Sequence, residues 1–292
     1  MKIALFSQEF SEDVKLIFDK IINNNLSENF SFFLHKDLNI EGFDFSNKSY
    51  FKYSKANDLK DEVDLLISVG GDGTFLRSIE YVKNNNIPIL GINTGRLGFL
   101  ASTKKENIEK SLEKIFKKKF KIEERSLIKV SVEGDKQLDS EFPYALNEIS
   151  VVRKDTTSMV NIKTSLNGIH VNSYWSDGLI VSTPTGSTGY SLSCGGPVIS
   201  PSSESLVLTP ISPHNLNARP LVISDTTKIS ISVSGREDYH LLSIDSKVYT
   251  VKNETKILVE KSDFNIKVAN LNHYNFYKTL KEKLLWGKDK RN

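Results

Sequence analysis

A carboxylate set inside a run of glycines is the first place in this chain where chemistry is expected: Gly70-Gly71-Asp72-Gly73-Thr74 follows an apolar segment and opens a helical pattern. Glycines reach positive φ and let a ligand approach the backbone with no Cβ in the way. The free N–H groups at a helix start receive phosphate. An acidic side chain in such an anion-binding turn has three chemical uses: it holds a metal, accepts a hydrogen bond from a ribose hydroxyl, or takes a proton. It also has one structural use, as the helix N-cap. The turn is neither the dinucleotide fingerprint nor a P-loop, because Leu76 stands where a third glycine would be and no Gly-Lys-Ser/Thr follows.

Three further stretches carry polar groups in bulk. Asp177 to Pro197 reads DGLIVSTPTGSTGYSLSCGGP, whose hydroxyls and amides suit phosphate or sugar oxygens and whose Tyr190 offers a face to a base; the structural reading is a serine-rich turn between strands. Asn147-Glu148 is a polar pair at a strand end, and Pro210 to Pro220 is a rigid polar loop containing His214, whose expected role is to hold that loop. Cys194 has no basic neighbour to activate it and reads as a small packed side chain. No His or carboxylate cluster has metal-ligand spacing, so no residue is assigned to a metal.

The elements that must position these groups fall into two patterns. Over residues 1–125 short apolar strands alternate with helical stripes: Lys2–Phe6, then Val14, Ile17, Phe18, Ile21 and Ile22 at helical spacing, a strand at Phe30–Leu34, the Val63–Val69 strand, and Ile87–Ile92 ending in a second glycine turn, Asn93-Thr94-Gly95-Arg96-Leu97-Gly98. This predicts a small doubly wound sheet with ligands beyond its carboxyl edge. The lysine-rich 104–125 stretch is interrupted by glutamates and carries Ile108, Leu112, Ile115 and Phe116 as an apolar stripe, which predicts a solvated helix face over a core. Over residues 126–270 the period changes to short alternating segments, with Asn167-Gly168 as a hairpin signal, so this domain is expected to be all-β in two packed sheets. Residues 271–292 return to helix, with Phe276, Leu280 and Leu284 a turn apart and Trp286 and the terminal lysines at an end in solvent; the helix is expected to pack back on the first domain.

The 292 residues suit two domains, and 38% hydrophobic residues suffice for two cores. A net charge of +3 demands neither nucleic acid nor an anionic membrane. One cysteine suits a reducing compartment, and no apolar run approaches membrane-spanning length, so a cytoplasmic protein is expected.

Taken together and in this order, Gly70–Thr74, Asn147-Glu148, the Asp177–Pro197 block and Ser212–Pro220 resemble the NAD kinase (ATP-NAD kinase) family. The resemblance implies an α/β N-terminal Rossmann-like domain, an all-β C-terminal NAD-binding domain, and transfer of a phosphoryl group from ATP to the 2′-hydroxyl of the adenosine ribose of NAD. It makes Asp72 the proton acceptor, with Gly73 beside it in the dinucleotide site. It puts Asn147 and Glu148 around ribose and adenine, Asp177 at the dinucleotide's other end, and Thr188, Gly189, Tyr190, Ser191, Leu192 and Ser193 about the adenine and its ribose. Arg77 and Trp175 fall at positions that are often basic in the family, and Gly189 replaces a common alanine, which leaves more room near the base. A homo-oligomer, dimer or tetramer, is implied as well. Magnesium is expected to be held mainly by the nucleotide phosphates, with water completing its shell. The glycine turn alone also resembles lipid kinases, and a non-catalytic NAD(P) sensor would keep the binding stretches without the reaction.

Overall fold

The computed structural model describes residues 1–38, 43, 45, 48–96, 98–135, 142–155, 158–215, 217–271 and 275–285. Leu97, Leu216, Trp286 and the terminal lysines lie outside the described residues. The chain divides into two units, Met1–Glu124 with Ile266–Asn292, and Arg125–Asn265. Its strands are β1 (Lys2–Phe6), β2 (Ser31–His35), β3 (Ser49–Tyr53), β4 (Leu65–Gly70), β5 (Ile89–Asn93), β6 (Thr103–Lys104), β7 (Phe120–Val132), β8 (Tyr144–Ala145), β9 (Glu148–Arg153), β10 (Val160–Leu166), β11 (Ile169–Ser176), β12 (Gly178–Ser182), β13 (Ser205–Ile211), β14 (Leu221–Ser224), β15 (Ile229–Ser234), β16 (Tyr239–Ile244), β17 (Lys247–Lys252) and β18 (Lys256–Leu271).

In the first unit β4 pairs with β5 and β1, β1 with β2 and β2 with β3, all parallel, and the end of β18 adds a parallel strand beside β5 through Val268 and Ile89. The order 3-2-1-4-5 reverses direction between β1 and β4, which makes the carboxyl ends of those two strands the switch point where open α/β sheets take ligands. Helices α1 (Glu12–Ile22) and α3 (Ile108–Phe116) bury the stripes read in the sequence, and both contribute to a core with Ile3, Leu5, Leu65, Ile67 and Ile92. Helix α2 (Asp72–Val82) is fixed by Phe75, Ile79 and Val82, buried side chains worth roughly 1.5–3 kcal/mol each. That anchorage holds the glycine turn at the end of β4.

The second unit is built on antiparallel strands in two ladders, β11-β10-β15-β18 and β14-β13-β12-β9-β16-β17. Their inward residues, among them Ile149, Val151, Ile162, Leu179, Val181, Ile231 and Leu242, form one core. The β10–β11 hairpin turns through Asn167 and Gly168, both at positive φ (49° and 83°), as the dipeptide signal requires. Against an all-β expectation, this unit also contains a 3₁₀ turn, Gly186–Thr188, and one helical turn, α4 (Tyr190–Ser193).

The C-terminal helix α5 (Phe276–Leu284) belongs to the first unit, where Phe276 meets Phe99 at 6.2 Å between ring centroids and Lys283 lies 4.8 Å over the Phe99 ring. Of its expected stripe, Phe276 and Leu280 are half-buried and Leu284 is exposed. Among the described residues no helix is long and apolar enough to cross a membrane.

Candidate active site

In the first unit the backbone of Gly70, Gly71, Gly73 and Thr74 borders a cleft of about 290 Å³ together with Ser7, Glu9, Ser11 and Thr94. These residues follow β1, β4 and β5, so the cleft opens at the switch point. Only Gly70 of the three glycines takes positive φ (153°); Gly71 is the N-cap of α2 and Gly73 sits in its first turn. Asp72 therefore does not cap the helix. Its carboxylate turns to the loop after β5, where Oδ2 accepts the N–H of Phe99 (2.8 Å) and Oδ1 those of Leu100 (3.1 Å) and Ala101 (2.9 Å). Gly98 is what allows this approach, because a Cβ there would stand 1.7 Å from Asp72 Oδ1. A carboxylate oxygen has two acceptor directions. Oδ1 uses both and Oδ2 keeps one open. Arg77 is exposed on α2.

In the second unit a different set of predicted residues comes together. Asn147 and Glu148 stand at the start of β9, and the Thr183–Gly189 segment folds directly over them: Thr183 N–H donates to Asn147 O (2.9 Å), and Thr183 Oγ1 donates to Leu146 O. Gly186 is required here, since its Cβ would meet Asn147 O at 2.1 Å. The room that Gly189 leaves lies against Glu148, with a Cβ 2.9 Å from Oε2 and 3.6 Å from Asn147 Nδ2. Glu148 accepts the N–H of Tyr190. Its Oε2 is nevertheless buried with no donor. Burial, and next the charge of Asp245, push the Glu148 carboxyl up to about 7.

Much of the serine- and threonine-rich block holds itself. Ser187 Oγ donates to Pro184 O (2.7 Å), Ser191 Oγ pairs with Thr209 Oγ1 (2.8 Å) and Ser191 is buried, while Tyr190 and Ser193 are exposed and Thr188, Gly189 and Leu192 half-exposed. Asp177 pairs with Arg153 Nε at 3.1 Å. Trp175 is exposed and stacks on His214 at 4.9 Å, and it is the His214 backbone N–H, bonded to Trp175 O (2.8 Å), that ties the loop. Cys194 is half-buried, its thiol pushed up by burial and then by the Glu148 charge, which agrees with a packed, inert side chain.

Two parts of this arrangement escape local sequence reading. The 99–101 amides that hold Asp72 carry no side-chain signal, and only the glycine at 98 marked that turn. Asp245, on the turn between β16 and β17, accepts the N–H groups of Leu146, Asn147 and Glu148 (2.8, 2.9 and 3.1 Å), yet in sequence it reads as an ordinary turn residue. Among the described residues no group of three or more His, Cys, Asp or Glu comes together as a metal site.

Comparison with known proteins meets both halves of the chain. The family model for the ATP-NAD kinase N-terminal domain matches residues 12–120, and that for the ATP-NAD kinase C-terminal domain matches residues 146–271. A curated NAD kinase of Flavobacterium psychrophilum is 49% identical over 300 aligned positions covering all of both chains, and one of Christiangramia forsetii is 47% identical over 301, again with full coverage. Among solved structures, an NAD kinase from Archaeoglobus fulgidus in complex with ATP aligns with a TM-score of 0.74 and 28% identity over 98% of this chain and 99% of its own. Yeast NADH kinase complexed with NADH shares the fold, with a TM-score of 0.85 at 21% identity over 99% of this chain and 88% of its own. The chain carries both domains in order and belongs to the NAD kinase family of enzymes.

Proposed function

We propose that this chain transfers the terminal phosphoryl group of ATP to the 2′-hydroxyl of the adenosine ribose of NAD, giving NADP and ADP. The observation that carries the chemistry is the carboxylate of Asp72, fixed by three amides beside the glycine turn with one acceptor direction of Oδ2 open. Through that direction Asp72 takes the proton of the 2′-hydroxyl as its oxygen bonds to the γ-phosphorus. The bond from that phosphorus to the bridging oxygen breaks, and ADP leaves with the electron pair. General base action of this kind contributes about 10²–10⁴-fold. The rest of the rate comes from positioning and charge neutralisation, as in phosphoryl transfer generally.

The cleft beyond β1 and β4 takes the phosphates, with backbone N–H groups at the start of α2 as donors. Gly73 borders it, and Arg77 adds a positive charge on the exposed side of α2. Asn147 and Glu148 bind ribose and adenine, the Thr188–Ser193 turn encloses the base with Tyr190 as its face, and Asp177 and Trp175 serve the other end of the dinucleotide. The half-exposed Asn147 and Glu148, packed beneath Gly189 with Tyr190 exposed beside them, support this reading. Magnesium would be carried by the nucleotide phosphates in the cleft that Glu9 lines, with water completing its shell. Bound there, it neutralises phosphate charge.

We also propose a homo-oligomer, dimer or tetramer. It is supported by β11 at the end of its ladder, which exposes Ile169, Val171 and Trp175 at 71%, 46% and 54%. The single cysteine supports a cytoplasmic setting. The deciding experiment is NADP formation from NAD and Mg-ATP by the purified protein, read with an NADP-specific dehydrogenase. Formation is expected; its absence with full-length folded protein overturns the reading.

A further inference from the structure

We propose that Asp245 is a positioning residue for dinucleotide binding: from its hairpin turn it fixes the Leu146–Glu148 backbone, so that the Asn147 and Glu148 side chains are set in place before the ligand arrives. This rests on the assignment of Asn147 and Glu148 to the NAD site. The attachment is two-way. The Asp245 carboxylate accepts three successive N–H groups, Leu146 on Oδ2 and Asn147 and Glu148 on Oδ1, and the Asp245 N–H donates to Glu148 O at 3.0 Å. Four hydrogen bonds thus tie these three residues to the hairpin turn. On its other side the same segment is pressed by the Thr183–Gly189 fold, where Gly186 allows contact with Asn147 O. Asp245 itself takes φ 48°, a left-handed value that Asp tolerates better than most residues, and this turns its side chain back beneath the chain it holds.

A neutral side chain would accept hydrogen bonds there too, so the charge needs its own account. Three amides pull the Asp245 carboxyl down, yet burial outweighs them and holds it at about 6. A charge at that depth is felt by Glu148, which has Asp245 on one side and Tyr190 and Cys194 on the other; of these only Asp245 pushes its carboxyl upward. Asp245 thus fixes the place of Glu148 and adds to burial in raising its carboxyl. The half-exposed side chains of Asn147 and Glu148 are where that setting reaches the ligand.

The test is NAD binding by calorimetry on the full chain between pH 6 and 8, with thermal unfolding alongside, for wild type and Asp245→Asn. The Asn oxygen still accepts from Asn147 and Glu148, while its amide group faces the Leu146 N–H and loses that bond. We expect a cooperative unfolding transition, NAD bound about tenfold more weakly, as a coupling of roughly 1.4 kcal/mol gives, and a pH midpoint for NAD affinity moved to lower pH than in wild type. A merely structural role does not move that midpoint. NAD affinity within about twofold of wild type with the midpoint unmoved overturns the inference and leaves the functional reading standing. A wild-type protein that binds no NAD overturns both. Should Asp245→Asn lack a cooperative transition, Asp245→Ser, which has neither the charge nor the amide group, is held to the same criteria.

Discussion

Each unit holds one aspartate whose two oxygens accept three successive backbone N–H groups, two on Oδ1 and one on Oδ2, and the two arrangements put the acid to opposite use. At Asp72 the acid belongs to the motif, and the amides of Phe99, Leu100 and Ala101 are its frame. At Asp245 the amides belong to the motif, those of Asn147 and Glu148, and the acid is the frame. The same geometry therefore serves once to aim a carboxylate and once to aim a piece of backbone. What separates the cases is the surroundings: Asp72 stands in a glycine turn that borders a cleft, whereas the Asp245 carboxyl is pushed up by burial and faces only the chain it holds. A carboxylate that binds three amides is thus not identified by its hydrogen bonds as either chemical or structural.

Substitution of the working group itself gives the largest effect. Asp72→Asn keeps the shape of the side chain and should lower turnover by about 10³-fold, the scale of general base action, with NAD still bound and the unfolding temperature within a few degrees of wild type. Near-normal turnover in that variant would remove the proton-acceptor role. Gly98→Ala attacks the frame instead: its Cβ would fall 1.7 Å from Asp72 Oδ1 and expel the carboxylate from its amides. We expect a loss of about 10²-fold in turnover, the scale of a 1 Å misplacement, measured by steady-state kinetics. A fully active Gly98→Ala enzyme would show that the three-amide frame is dispensable.

The second unit is probed by pH. The Glu148 carboxyl stands at about 7, above the 4.5 of an ordinary glutamate. Its ionised form accepts the ligand's hydroxyl, so NAD affinity should weaken as pH falls through about 7, approaching tenfold per pH unit below it. Glu148→Gln should flatten that dependence, and an affinity constant from pH 6 to 8 in wild type would exclude the role. The same raised value has a consequence for stability with the reverse slope. The folded chain binds a proton between about 4.5 and 7 that the unfolded chain does not, so this group's contribution grows on acidification through that window and fades above it. The smallest effect is expected at Cys194, where Cys194→Ser should change turnover by less than about twofold; a larger loss would give the thiol a chemical part that its raised pKa speaks against.

What the sequence made legible was whatever lies within a turn or two of chain. The stripes of α1 and α3, the buried run of β4 and the Asn167-Gly168 hairpin are local patterns, and each appears where its period puts it. The strand β3 did not show, because four of its five residues are exposed and SYFKY sits in a polar stretch without an inward face to alternate. The strands β13 and β17 carry weak local signals for related reasons, the first lying among serines and prolines and the second being half-exposed along its length. The motif residues were found, but their partners were not: the amides that hold Asp72 are 27 to 29 residues away, and Asp245 is 97 to 99 residues from the amides it accepts. Backbone donors have no side-chain signature, so a carboxylate's frame is visible only once the chain has folded.

The long strand β18 gives the molecule a schedule. Its end supplies Val268 as the partner of Ile89, and residues 266–271 belong to a unit whose other parallel strands, β1 to β6, all lie before residue 105. A ribosome adds about 5–20 residues per second, so during synthesis the Ile89 end of β5, which β6 does not cover, waits many seconds for its partner while the whole second unit is made. A nascent chain stalled before residue 266 presents that open edge to any other extended strand, including its own copies on the same message. The first unit, although first in the sequence, is the last to be completed.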